Sequence, residues 1–376
     1  MRRESSPKGV TPKRRHRFAL PAHFNSFLLL IVAIVLLYGV IYPNARIFFG
    51  ALQVDGRWSP ANFLTMLSQR AVIESALTSI AVSILTVVFC ALVGVPLAFR
   101  FERYSFPGRR LFATLAALPL VLPPLVGTVA FIFLCGESGI LARAVQNTFH
   151  LSTAPWTLRG WGALLLFHTY TMYPFFYVLT GAGLQRIDAG LAEAARSLGA
   201  SRLRVLSRVT LPQLTPSLIA AALLTFMTSM ASFSAPLLFG GNVRVLTLEI
   251  FSARQRGDAG VALTETVLLA VISLVALILF QRYEGTRRFV AAAMKGATRR
   301  RTPLKSGRTR LLAAVCGIVF SIALALPIAT LVLVSFSRDG SWTTQTLPPS
   351  YSLSNFARLA SDADARSVFV NSLLMA

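Results

Sequence analysis

The apolar residues of this chain fall into blocks of about 20, the length of helix needed to cross roughly 30 Å of hydrocarbon. The blocks run at 24–42, 71–99, 111–135, 160–183, 216–239 and 260–280, with a seventh at 311–335 and an eighth opening near 367. Lipid offers no partner to a free backbone N–H or C=O, so blocks of this length are helices. The predicted fold class is all-α: a polytopic transmembrane helical bundle, with one six-helix half followed by the start of a second. At 55% hydrophobic and 14% charged residues, the chain has too little polar surface for a soluble domain.

The formal charge of +23 is concentrated between the blocks. Arg2, Arg3, Lys8, Lys13, Arg14, Arg15 and Arg17 lie in a Pro-interrupted tail over 1–23. Further basic residues stand at Arg100, Arg103, Arg109 and Arg110, then from Arg186 to Arg208, then along a linker over 284–310. Basic residues accumulate on the cytoplasmic side of a membrane protein. That pattern places the N-terminus in the cytoplasm and explains the charge by topology, with membrane lipid and not nucleic acid as the partner. The apolar run at 24–42 is long and lacks a small-residue cleavage site, so it is expected to stay as an anchor. Cys90, Cys135 and Cys316 are far apart in sequence and show no metal-ligand spacing, which leaves them as packing residues.

Local signals refine the blocks. Pro119, Pro123 and Pro124 predict an interrupted third helix. Thr215-Pro216 reads as an N-cap followed by proline at the first helical position. Glu74, Glu137 and Glu265 fall near helix ends, so no relay of intramembrane carboxylates is evident and a proton-coupled carrier is disfavoured. His168, within His168-Thr169-Tyr170-Thr171-Met172-Tyr173-Pro174, stands inside the fourth block. Such polar groups face the bundle interior or a pathway. His168, Tyr170 and Tyr173, with Phe233 and Ser234, are the candidate pathway residues; an interhelical hydrogen bond is the other reading of His168.

The chain also repeats. Pro43 closes the first block, and Asp55-Gly56-Arg57-Trp58 and then Asn62-Phe63 follow. Pro327 lies in the seventh block, and Asp339-Gly340-Ser341-Trp342 follows at the same spacing, then Asn355-Phe356. The repeat predicts a first six-helix half over 24–283 and an incomplete second half over 311–376, ending inside its second helix.

The segment 188–213 carries the most specific pattern. Asp188 can cap a helix with Leu191, Ala194, Ala195 and Leu198 on one face, and Gly199 stands where a helix-ending glycine is expected. Ser201 can cap a second short helix, with Leu203, Leu206 and Val209 inward and Arg202, Arg204 and Arg208 outward, ended by Leu211-Pro212. Glu193-Ala194-Ala195, three residues, Gly199, nine residues and Val209-Thr210-Leu211-Pro212 resemble the EAA loop of binding-protein-dependent ABC importer permeases. Only Val209 departs from the family pattern, where isoleucine is usual. The resemblance implies that the loop docks into an ATP-hydrolysing subunit. Glu193 would be the polar anchor, Ala194 and Ala195 the small docking residues, and Gly199 the turn.

The resemblance also implies an inner-membrane permease that is not itself an enzyme, working with P-loop ATPase subunits and an extracytoplasmic solute-binding protein by alternating access. No G-x-x-x-x-G-K-[ST] occurs, so ATP is expected on a partner and no cofactor on this chain. Ser232 to Gly241, with Leu248-Glu249-Ile250, is most similar to the fused two-half iron(III) permeases. Thiamine, phosphonate or polyamine permeases of the same family are alternatives, as is a carrier or channel that works without an ATPase.

Overall fold

The computed structural model describes residues 22–54, 56–187, 189–286, 301–304, 306–338, 342 and 345–375. The chain enters through α1 (Ala22–Leu36), a π-helical turn (Leu37–Ile41) and α2 (Tyr42–Ala51), which run on as one rod. A hairpin of β1 (Gln53–Val54) and β2 (Arg57–Trp58) and a short α3 (Ala61–Ser68) return it to α4 (Arg70–Arg103). After β3 (Tyr104–Ser105) come α5 (Arg109–Leu115), a 3-10 turn (Leu118–Val121), α6 (Pro124–Cys135) and α7 (Ile140–Phe149). The third block breaks where its prolines stand. A proline has no N–H for the helical ladder and clashes with the preceding turn.

The central helix is α8 (Gly160–Arg186). Among the described residues, six other segments are long and apolar enough to cross a membrane: Leu29–Ala51, Arg70–Arg103, Pro124–Phe149, Arg202–Met230, Ala259–Tyr283 and Gly307–Ser335. By hydropathy α8 falls short of them, although its 27 residues reach about 40 Å at 1.5 Å per residue. The reason is burial: α4 packs along its length and α11 (Leu211–Met230) along another face, so lipid touches little of it. At Gly94 the α4 backbone comes so close to α8 that a Cβ would lie 2.6 Å from the Tyr173 carbonyl oxygen. Small residues at such crossings let helices approach in lipid, where packing replaces the hydrophobic drive.

Between α8 and α11 stand α9 (Ala189–Ser197), α10 (Arg202–Val205) and a π-helical turn (Leu206–Thr210). The fifth membrane helix therefore starts at Arg202 and not at Pro216. Thr215 is no N-cap: its Oγ1 donates to the Leu211 carbonyl at 3.2 Å, from within the helix. After α12 (Ser234–Phe239) and α13 (Leu246–Gln255), α14 (Ala259–Thr286) closes the six-helix set and packs on α2, α3, α11 and α13.

Of the linker, residues 287–300 and 305 lie outside the described residues, as do residues 1–21 of the basic tail. The described end of the linker is ordered. There β4 (Thr302–Pro303) pairs in parallel with β3, Tyr104 opposite Thr302, and Arg301 Nη2 donates to Glu102 Oε2 at 2.9 Å. Next, α15 (Gly307–Ser335) takes Arg308 and Arg310, assigned to the linker by their charge, into its first turn. This helix lies against α5 and α6, with Gly317 over the Phe112 ring and the Tyr170 hydroxyl donating to the Leu324 carbonyl at 2.8 Å. The chain ends in α16 (Ser354–Ser361) and α17 (Ala363–Met375).

The hairpins after α2 and after α15 share one geometry. Asn62 Nδ2 donates to the carbonyls of Ala51 and Gln53, both at 3.2 Å. Asn355 Nδ2 donates to those of Ser335 and Ser337, at 3.0 and 2.9 Å. Ser59 Oγ accepts from the Ala61 N–H at the entrance to α3, and Ser352 Oγ accepts from Ser354 N–H at the entrance to α16. Asp55, Asp339, Gly340 and Ser341, which carry part of the repeat in sequence, lie outside the described residues.

Candidate functional site

The loop from α8 to α11 is built by caps. Gly199 takes φ +82°, in the left-handed region that L side chains avoid. This turn lets the Gly199 N–H reach the Arg196 carbonyl at 2.9 Å and the Ala200 N–H reach that of Ala195 at 3.0 Å. That pair of bonds is the glycine-ended C-cap expected of α9. Ser201 Oγ then accepts from the Arg204 N–H at 3.4 Å and starts α10. The cap expected from Asp188 lies outside the described residues.

The faces of these two helices differ from their apolar spacing. The buried residues are Ala192 and Val205, with Ala195 and Leu206 half-buried. Leu191 and Leu198, read as part of one apolar face, and Leu203, read as inward, are exposed, Leu198 at 89% and Leu203 at 73%. Glu193 and Ala194 are exposed on the same loop, while Val209, Leu211 and Pro212 are half-buried. Helices of one or two turns have no core of their own to set their rotation. Small Ala192 lets α9 sit close to its neighbours and turns the leucines outward. Three exposed leucines on one loop are a surface that a partner would cover.

Leu211-Pro212 does not end the second helix. The chain passes through it, because the preceding turn is π-helical and the Leu211 N–H bonds back to the Leu206 carbonyl. A widened turn re-registers the ladder just before a residue that cannot donate. The 29 residues from Arg202 to Met230 are thus one helix from loop to far end.

At that far end lies the second candidate group. His168 is 1% exposed. Its Nδ1 is 3.2 Å from Thr86 Oγ1 of α4 and 3.3 Å from Ser229 Oγ of α11, and its Nε2 is 3.0 Å from Ser232 Oγ. Ser83 Oγ donates to Ser229 Oγ at 3.1 Å. Hydroxyls donate and accept, so the ring is satisfied in either neutral tautomer. Tyr173 is buried and its hydroxyl donates to the Ala116 carbonyl at 2.6 Å. Tyr170 reaches α15, the Phe233 ring packs at 5.1 Å from Phe251, and half-buried Ser234 opens α12. The node and the loop are not brought together: His168 and Arg186 are separated by roughly 27 Å of helix.

Thr86, Ser83, Ser229 and Ser232 escaped the sequence reading. Serines and threonines in membrane helices commonly bond their own preceding turn, so neither the α4 pair nor the two serines at and just past the end of α11 stood out as partners of His168. Glu265 stands near the start of α14, as expected, but is 1% exposed, and its Oε2 has no hydrogen-bond partner among the described residues. Among the described residues no group of three or more His, Cys, Asp or Glu side chains gathers as a metal site.

Residues 91–288 match the family described as the binding-protein-dependent transport system inner membrane component. A probable ABC transporter permease protein of Sinorhizobium fredii is 29% identical over 355 residues, covering 92% of this chain and 61% of that protein. The chain therefore spans under two thirds of that relative's length. A probable molybdenum ABC transporter permease protein of Haloferax volcanii is 30% identical over 271 residues, 71% of this chain and 94% of the relative. The ferric transport system permease protein of Actinobacillus pleuropneumoniae is 24% identical over 300 residues, 79% of this chain and 44% of the relative. Among solved structures, a bacterial ABC transporter involved in the import of the acidic polysaccharide alginate superposes with a TM-score of 0.60 at 19% identity, over 71% of this chain and 96% of that one. At that identity the likeness speaks to the fold.

Proposed function

Because this chain belongs to the family of binding-protein-dependent transport system inner membrane components, we propose that it is the multi-pass permease of an ATP-driven importer, coupled to its ATPase through α9 and α10. The observation that carries this reading is the loop itself. A glycine-capped turn leaves Leu191, Glu193, Ala194, Leu198 and Leu203 exposed, and from Arg202 the loop runs without a break into a membrane-length helix. A partner that grips the loop moves α11 directly, and α11 is tied at its other end to α4 and α8 through His168.

In this reading the ATPase subunits sit at the basic end of the bundle, which is cytoplasmic together with the N-terminus. ATP binds to them and not to this chain. A solute-binding protein delivers the substrate at the opposite face. The pathway lies between the six-helix half and a second repeat opened by α15, which already packs on α5 and α6. Alternating access then consists of the two halves rocking about that contact.

The substrate class best supported is a small inorganic nutrient ion. Relatives named for molybdenum and for ferric transport both match the chain. Within that class, iron(III) rests on the Ser232–Gly241 segment with Leu248-Glu249-Ile250. Uptake of radioactive iron and of radioactive molybdate, each with excess of the other, separates the two. Proteoliposomes decide the mechanism. Uptake that requires the ATPase and internal ATP supports the importer, whereas uptake driven by an ion gradient without the ATPase would make the chain a secondary carrier.

A further inference from the structure

The ends of α4 and α8, the loop carrying α9 and α10, and Arg301 just before β4 converge around a cavity of about 130 Å³. A single water needs about 10–15 Å³ of such space, so a tetrahedral anion fits. The lining holds Arg103, Arg196, Arg202 and Arg301 against one carboxylate, Glu102. Glu102 is already engaged by Arg301. Arg103, Arg196 and Arg202 have no ion pair among the described residues. Gln185 and Thr210 add neutral donors to the wall.

Guanidinium groups around one cavity repel each other. Burial first, and the Arg301 charge next, hold the Arg109 guanidinium below its usual range. Planar guanidinium forks pair with the oxygens of a phosphate by charge-assisted hydrogen bonds, which a lone carboxylate already spent on Arg301 does not supply.

We propose that this cavity binds a phosphate group, from a soluble phosphate or from an anionic lipid headgroup, and so ties the loop of α9 and α10 to the end of α4 and to the segment leading into α15. Its effect on transport rests on reading that loop as the coupling element, but binding does not, so a failed titration and a failed coupling experiment are distinguishable.

The test is thermal unfolding of the full-length protein in nanodiscs. One arm adds inorganic phosphate to phosphatidylcholine discs, with sodium chloride at matched ionic strength as the control. The other replaces part of the lipid by phosphatidylglycerol without added phosphate. The expected result is a rise in midpoint of several degrees in one arm, cut by at least half in Arg103→Gln/Arg202→Gln and in the single exposed variant Arg196→Gln. A rise in the first arm identifies a soluble ligand and a rise in the second a lipid headgroup. No rise beyond chloride in either arm, or a rise undiminished in Arg196→Gln and in whichever further variant folds, overturns the proposal.

Discussion

Asn62 and Asn355 make the same clamp in two places. Each donates from Nδ2 to two backbone carbonyls, one from the residue that ends a long helix and one from two residues further on. In both, the asparagine stands at the second residue of a short helix, α3 or α16, and a membrane-length helix precedes it. The chain thus builds the same exit from its first and its seventh long segment, which is the physical content of the repeat seen in sequence.

Removing either clamp leaves two carbonyls without their partner. A net hydrogen bond is worth about 0.5–1.5 kcal/mol, so Asn62→Ala and Asn355→Ala are each expected to destabilise by about 1–3 kcal/mol. Thermal unfolding in detergent checks this. Equal losses fit equivalent hairpins, and a silent Asn355→Ala would mean that the second exit is not held in the same way.

At Gly199 an added Cβ meets nothing within 4 Å, so the constraint is the backbone angle alone. A side chain in the left-handed region costs roughly 1–2 kcal/mol, and asparagine tolerates it better than β-branched residues. Gly199→Val is expected to lower ATP-driven uptake at least several-fold with normal membrane abundance, and Gly199→Asn to retain most of it. Uptake per inserted molecule is the measurement, and equal activity in the two variants would remove the requirement for the turn.

Gly94 gives the opposite case, in which space and not angle is limiting. A Cβ there meets the Tyr173 carbonyl oxygen at 2.6 Å and the Phe176 Cβ at 2.7 Å. Gly94→Val is expected to push α4 off α8 and reduce folded protein in the membrane severely. Fluorescence-detected size exclusion of the solubilised protein reports it, and a normal monodisperse peak would show that the two helices give way.

His168 joins α4, α8 and the segment after α11. Interhelical hydrogen bonds in membranes are worth about 0.6–2 kcal/mol each, so His168→Ala is expected to lose about 1–4 kcal/mol. His168→Asn should recover part of that, because an amide both donates and accepts. Thermal midpoints of the two variants decide it. An unchanged midpoint in His168→Ala would show that the node holds nothing.

Much of this architecture was readable from the residues because lipid punishes unpaired backbone so heavily that apolar length alone marks a helix. The prolines at 119, 123 and 124 broke the third block as proline chemistry requires. The rotation of α9 was not readable: Leu191 and Leu198 look like a core face, and only the neighbours of Ala192 decide otherwise. The start of the fifth helix was misplaced because Thr215-Pro216 has the form of a cap, while the π-turn at 206–210 that carries the helix past Pro212 leaves no mark in composition. Glu265 stands near a helix end, as its place in the sixth block suggested, but its burial depends on how the surrounding helices pack, which no local pattern states. Orientation across the membrane rests on charge alone, and labelling of Ser306→Cys tests it: failure to label from outside intact cells is expected, and ready labelling would invert the topology.

The most direct test of the central claim is to measure, in one preparation, membrane abundance, co-purification of the ATPase and ATP-driven uptake for Glu193→Lys and for Leu198→Asp/Leu203→Asp. All three positions are exposed, so insertion should be unaffected. The account expects normal abundance with at least a ten-fold loss of bound ATPase and of uptake. Variants that keep both the ATPase and full uptake would contradict it, because the loop would then be an ordinary surface turn.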